Sequence, residues 1–275
     1  MKFILIGEGK ILILKKRIFM EKELQELFEE WKNKLGTCFT YDGIMYQNGK
    51  TNEQVEKEWM ASPKRVVFLL KDQHQFGDGE KWDEHINLWL NDVDWEDIEK
   101  RKKWNVQACA NRNIKGKFFK NIAYILWGLV KADRNNEWWY QEVKKHHEDV
   151  KTFFNTQPFA LVECKKDPGG PICNPSVLKC HLKTYGNFLM KEIRILNPNM
   201  IVCTSDIIYK FVLEMYPEKE LVSIENHNSI RFHPNTKTLI FCSYHPSSRK
   251  SPEMVYDGVM AHYRAFLKSE YSFCE

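Results

Sequence analysis

Val66-Val67-Phe68-Leu69-Leu70-Lys71-Asp72-Gln73-His74 is an unbroken apolar run that ends in a polar cluster. A distant segment has the same form: Leu239-Ile240-Phe241-Cys242-Ser243-Tyr244-His245-Pro246-Ser247-Ser248-Arg249. Neither run alternates apolar with polar residues. That is the pattern of a strand covered on both faces, as in a parallel sheet. Two further runs, residues 158–164 and 200–203, read the same way. With 65–70 and 238–242 they make four predicted strands.

Between and around these runs the period changes to that of a helix. Leu24, Leu27, Phe28, Trp31 and Leu35 line one face of 20–35, and a polar helix over 52–60 is closed by Ser62-Pro63. Phe118, Phe119, Ile122, Ile125, Leu126 and Leu129 share a face of 117–131. Leu182, Tyr185, Leu189, Ile193 and Leu196 do so over 181–196. Thr204-Ser205-Asp206 offers caps for a helix running to about Met215, and Ser251-Pro252 opens the last one. Strands alternating with helices predict an α/β fold. The expected form is a three-layer α/β/α domain spanning 1–275, with a central, mostly parallel four-stranded sheet. The charged stretch 75–149 is expected to be a helical insertion. Residues 1–19 read as an extra strand or a non-native start ahead of Met20.

Composition narrows the function classes. The chain has 275 residues, 43% of them hydrophobic, so it can bury a substantial core. A net charge of +4 permits a polyanionic partner without demanding one. Its 8 Cys are scattered, with no C-x-x-C pair, which suits a reducing, cytoplasmic setting. Charged residues interrupt the apolar start, so it does not read as a signal peptide. No run approaches the roughly 18 apolar residues of a membrane span. His146-His147, and His227 with His233, lack zinc-like spacing and read as solvent-facing.

In open α/β sheets ligands bind beyond the carboxyl ends of the strands. The four predicted ends bring Asp72-Gln73-His74, Glu163-x-Lys165-Lys166, Thr204-Ser205-Asp206 and His245-Pro246-Ser247-Ser248-Arg249 to one edge. In the order and placement of these motifs, from Arg65 to about Leu267, the chain resembles the uracil-DNA glycosylase superfamily. There the first strand ends in a motif often carrying Asp, then Pro and an aromatic. A middle strand usually carries an Asn that reads the base, and the last strand ends in His-Pro-Ser.

The resemblance implies a monofunctional DNA base-excision enzyme: a monomer that flips a base out of DNA and needs no metal or redox cofactor. Breaking a base–sugar bond makes the sugar cation-like and leaves negative charge on the base. Asp72 would stabilise the cation or orient water, and His245 would donate a hydrogen bond to the base. Lys71, Gln73, His74, Glu163 and Lys165 would surround the base. Phe76 would stack on it, with Trp82 as runner-up. Ser247, Ser248, Arg249 and Lys250 would hold the DNA.

Three positions depart from the superfamily pattern. Gln73 stands where Pro is frequent, His74 where an aromatic is, and Glu163 where Asn is expected. An ionised Glu only accepts hydrogen bonds, which would favour a base presenting donors and put uracil in doubt. One branch of the superfamily holds an iron–sulfur cluster through four Cys. Cys164 and Cys180 have a suggestive separation, but no Cys pair precedes the first motif, so no cluster is expected. Two alternatives share the fold: an inactive binder of DNA or a modified base, and a hydrolase of small nucleosides. The modest charge and the lack of a clear basic stripe motivate the latter.

Overall fold

The two strands expected to carry most of the site run past their apolar stretches. In a computed structural model, which describes residues 8–45, 50–74, 85–86, 116–170, 172–216, 220–224 and 226–271, β2 spans Val66–His74 and β3 spans Ala160–Gly169. Asp72 is therefore still a strand residue, in register with Lys165. Residues 167–169, beyond the predicted run 158–164, end β3.

The sheet has seven strands rather than four. The expected four are present as β2, β3, β4 (Met200–Cys203) and β7 (Thr238–Cys242), all parallel to one another. Three antiparallel strands extend the edges: β1 (Gly43–Ile44), β5 (Val222–Ile224) and β6 (His227–His233). The order is β1-β3-β2-β4-β7-β6-β5. Edge strands are short or half-exposed, so they lack the continuous apolar run that marks a central parallel strand. Val222 and Ile224 alternate with Ser223, and Ile230 and Phe232 with Arg231, a weaker signal over few residues.

Helices lie against both faces. Val66, Phe68 and Leu70 bury into a cluster with α3 (Lys117–Lys131), α4 (Tyr140–Lys145), α5 (His147–Phe154) and α8 (Pro252–Lys268). Val67 and Leu69 bury into the other cluster with α1 (Glu8–Leu35), α2 (Asn52–Ala61), α6 (Pro175–Leu196) and α7 (Asp206–Glu214). Each fully buried Val, Leu or Phe contributes about 1.5–3 kcal/mol, which explains why β2 tolerates no polar residue before Lys71.

In place of the extra strand expected within 1–19, the chain is helical from Glu8 onward, as part of α1. Extending an existing helix adds hydrogen bonds without a new nucleation cost. Within the expected insertion, α3 packs on the sheet, with Ile122, Ala123 and Leu126 fully buried. His233 is not solvent-facing either. It is 4% exposed, with Nε2 2.9 Å from Glu220 and Nδ1 accepting from Thr236. Among the described residues no helix is long and apolar enough to cross a membrane.

β3 carries charge into the interior. Lys166, Asp42 and Glu192 form an ion triad with no exposed side-chain surface. The Lys166 ammonium bonds Asp42, lies 2.8 Å from Glu192 Oε2, and sits 5.0 and 5.2 Å from the Trp31 and Phe28 rings. Burial opposes that charge, but Asp42 and Glu192 outweigh it and hold the ammonium above its ordinary value. Burial, then Asp42, raises Glu192 well above the usual carboxylate range. Breaking such a group from one side strands a buried charge. Lys166→Met is expected to lower stability by about 3–5 kcal/mol in urea unfolding. Adding Asp42→Asn and Glu192→Leu should recover most of that loss, because the uncompensated carboxylates go with it.

Candidate active site

Asp72 and His245 leave two strands that flank β4. Leu69, Cys203 and Cys242 lie side by side across β2, β4 and β7, and Asp72 and His245 each follow three residues later. Two strand spacings separate their strands by about 10 Å. β3 lies on one side of β2 and β4 on the other, so Asp72 stands at the point where the strand order reverses.

The His245 turn is pinned by α3. Asn121 Nδ2 donates to Pro246 O at 2.7 Å, and Lys117 Nζ donates to Lys250 O at 2.8 Å and to Ser248 O. The Phe118 ring lies 5.9 Å from the imidazole. Ser247 N–H donates to His245 Nδ1 at 3.2 Å, which leaves the ring proton on Nε2. Burial, then the nearby Lys71 charge, lowers the imidazole to about 4. At neutral pH His245 is thus an uncharged Nε2–H donor. Ser247, Arg249 and Lys250 are exposed, whereas Ser248 Oγ is buried without a partner.

Asp72 is more enclosed. Its side chain is 6% exposed, with Lys165 Nζ 3.6 Å away. A Cβ on Gly169 would stand 2.1 Å from Asp72 Oδ2, so only glycine lets the end of β3 close over the carboxylate. Burial raises Asp72 above 3.8, with Lys165 opposing. Lys165 reaches on to Asp167 Oδ2 at 3.1 Å, and Asp167 Oδ1 lies 3.4 Å from His181 Nδ1. Burial lowers His181 to about 4. The chain of groups Asp72, Lys165, Asp167, His181 was not foreseen beyond its first two members.

Glu163 lies on the face shared by Leu70, Asp72 and Lys165, in register with Leu70. It is 4% exposed, and its Oε2 is buried without a hydrogen-bond partner. Burial, followed by Asp42 and Asp72, raises it well above the usual carboxylate range. This corrects the reading of Glu163 as an ionised, acceptor-only group. A neutral carboxylic acid has one O–H donor and one carbonyl acceptor, as an amide does. The preference for a base presenting donors therefore does not follow.

The remaining positions divide. Gln73 is buried, and its Oε1 accepts from Thr40 Oγ1 at 3.2 Å. Lys71 is half-buried. Thr204 Oγ1 bonds Leu69 O at 2.8 Å, Ser205 caps α7, and Asp206 pairs with Lys210, so that strand end is spent on structure. Phe76 and Trp82, and the side chain of His74, lie outside the described residues. No family profile matches the chain, and no curated protein is significantly similar to it.

An acid raised by folding stabilises the fold below its unfolded value, and that contribution is lost as pH rises through the folded value. Glu163→Gln keeps the shape and removes the titration. Its urea midpoint is expected to fall less than that of the unaltered chain as pH is raised above 4.5.

Proposed function

We propose that the chain hydrolyses the N-glycosidic bond of a damaged or modified base in DNA, as a uracil-DNA-glycosylase-like enzyme. One observation carries this: an acid and a neutral Nε2–H imidazole stand at matched height on the carboxyl ends of strands flanking β4. As the bond loosens, the electron pair leaves with the base. The Asp72 carboxylate faces the cation-like sugar and orients the incoming water. His245 Nε2–H donates to the oxygen on which negative charge grows. Glu163, as a neutral acid, offers a donor and an acceptor to a base edge. Ser247, Arg249 and Lys250 are free to meet phosphates, and the inward-turned Ser248 hydroxyl is not. On this reading the chain acts on DNA as a cytoplasmic monomer.

A second reading has its own support. The Asp72 carboxylate is already paired with Lys165 and covered by Gly169, which favours a binder of DNA or a modified base that does no chemistry.

An abasic-site cleavage assay on oligonucleotides carrying uracil, hypoxanthine or other altered bases separates the two. Turnover on at least one base is expected, with single-turnover rates lowered about 10²–10⁴-fold in Asp72→Asn and in His245→Leu. The reactive form of Asp72 is the anion, so the rate should rise with pH through a value above 3.8. That limb should vanish in Asp72→Asn. Full activity in Asp72→Asn overturns the mechanism. Binding without product on every base leaves the binder reading.

A further inference from the structure

Lys165 faces two carboxylates and does not serve them equally. Its Nζ lies 3.1 Å from Asp167 Oδ2 and also donates to Asp167 O. Asp72 Oδ2 stands at 3.6 Å, close enough for an ion pair but too far for a hydrogen bond. The ammonium is therefore anchored on Asp167. The Lys165 and Asp72 side chains are each 6% exposed, so solvent and salt screen this choice little.

The backbone sets up the arrangement. Residues two apart on a strand share a face, which places Asp167 beside Lys165. Beyond Asp72 the pairing of β2 with β3 slips: Asp72 matches Lys165, but His74 matches Gly169. Four steps along β3, from 165 to 169, face two along β2, from 72 to 74. The surplus arches over Asp72, and Gly169 closes the arch against the carboxylate. Asp167 is held from behind by α6. The His181 side chain is 7% exposed, packs 4.8 Å from the Tyr185 ring and presents Nδ1 3.4 Å from Asp167 Oδ1. His181 Nε2 is buried without a hydrogen-bond partner, so the ring proton is better placed on Nδ1, toward the carboxylate.

Two carboxylates thus share one ammonium, and the surplus negative charge falls on the one it does not hydrogen-bond, Asp72. A cation-like sugar needs that charge uncancelled. We infer that Asp167, backed by His181, is a positioning residue that draws the Lys165 ammonium off Asp72 and leaves the Asp72 carboxylate free to face a cationic centre. The identity of that centre as a sugar rests on the base-excision reading; the division of the ammonium does not.

The charged and titratable groups around Asp72 are Glu163, Lys165 and Asp167 of β3, Cys173 ahead of α6, His181 within it, Lys71 on its own strand and His245 beyond β4. Besides burial, which raises Asp72, Lys165 and Cys173 lower it and Asp167 raises it. Asp167→Asn removes a raising charge and sends the ammonium to Asp72, so the carboxyl should titrate lower. Lys165→Met removes the lowering charge, so it should titrate higher.

The test has two readouts: single-turnover base release against pH, and carbon NMR of the Asp72 carboxyl, which needs no substrate. The Asp167 side chain is 36% exposed, so Asp167→Asn should melt as the unaltered chain does. It is expected to slow base release about 10²-fold, the scale of a reacting group misplaced by roughly 1 Å. The acid limb of its rate and its NMR titration should both move to lower pH. In Lys165→Met both should move to higher pH. Asp167→Glu, which keeps the carboxylate, should keep most of the rate and the position of the limb. A slowed Asp167→Asn whose Asp72 titration stays in place, or moves up, overturns the inference, because structural damage alone would do the same. Opposite NMR shifts in Asp167→Asn and Lys165→Met, with no base released by the unaltered chain, keep the division of charge and remove only the excision reading.

Discussion

A strand that carries Glu163, Lys165 and Lys166 into the interior is held there only if each charge is met. The pleat sends Lys166 to one face and Glu163 and Lys165 to the other, so neutralisation is solved twice. Lys166 is answered by Asp42 and Glu192, which tie β3 to α6 and to the segment before β1. Lys165 is answered by Asp72 and Asp167. Among the described residues Glu163 has no cation at ion-pair distance, and burial raises it well above the usual carboxylate range. Asp42 joins the two solutions, because it also accepts the Glu163 backbone N–H at 2.6 Å.

The same constraint shapes the chemistry. Asp72 is raised by burial but kept from a larger shift by Lys165. His245 is lowered by burial, its proton directed to Nε2 by the Ser247 amide. Two environments thus push an acid up and a base down, which separates a charged from an uncharged partner across β4. The α3 helix matters as much as the strands: Asn121 and Lys117 hold the backbone that presents His245.

Much of this was legible in sequence, for identifiable reasons. The four parallel strands announced themselves because burial on both faces forces continuous apolar runs. Caps and prolines marked α2, α7 and α8 close to their ends. The polar ends of β2 and β3 were misjudged because a strand that pairs on both sides can continue through charged residues, provided other elements cover them. Glu192 could have been found: it falls between Leu189 and Ile193 on the buried face of α6, and a carboxylate there requires a buried partner.

The amino-acid order by itself determined the layer architecture, the parallel core and the arrival of Asp72, Glu163 and His245 at one edge, since these follow from period and local chemistry. Only the tertiary structure decided the protonation of Glu163, the tautomer of His245 and the enclosure of Asp72 by Gly169 and Lys165. Those depend on burial and on partners distant in sequence, and no local pattern records how much water a folded chain excludes.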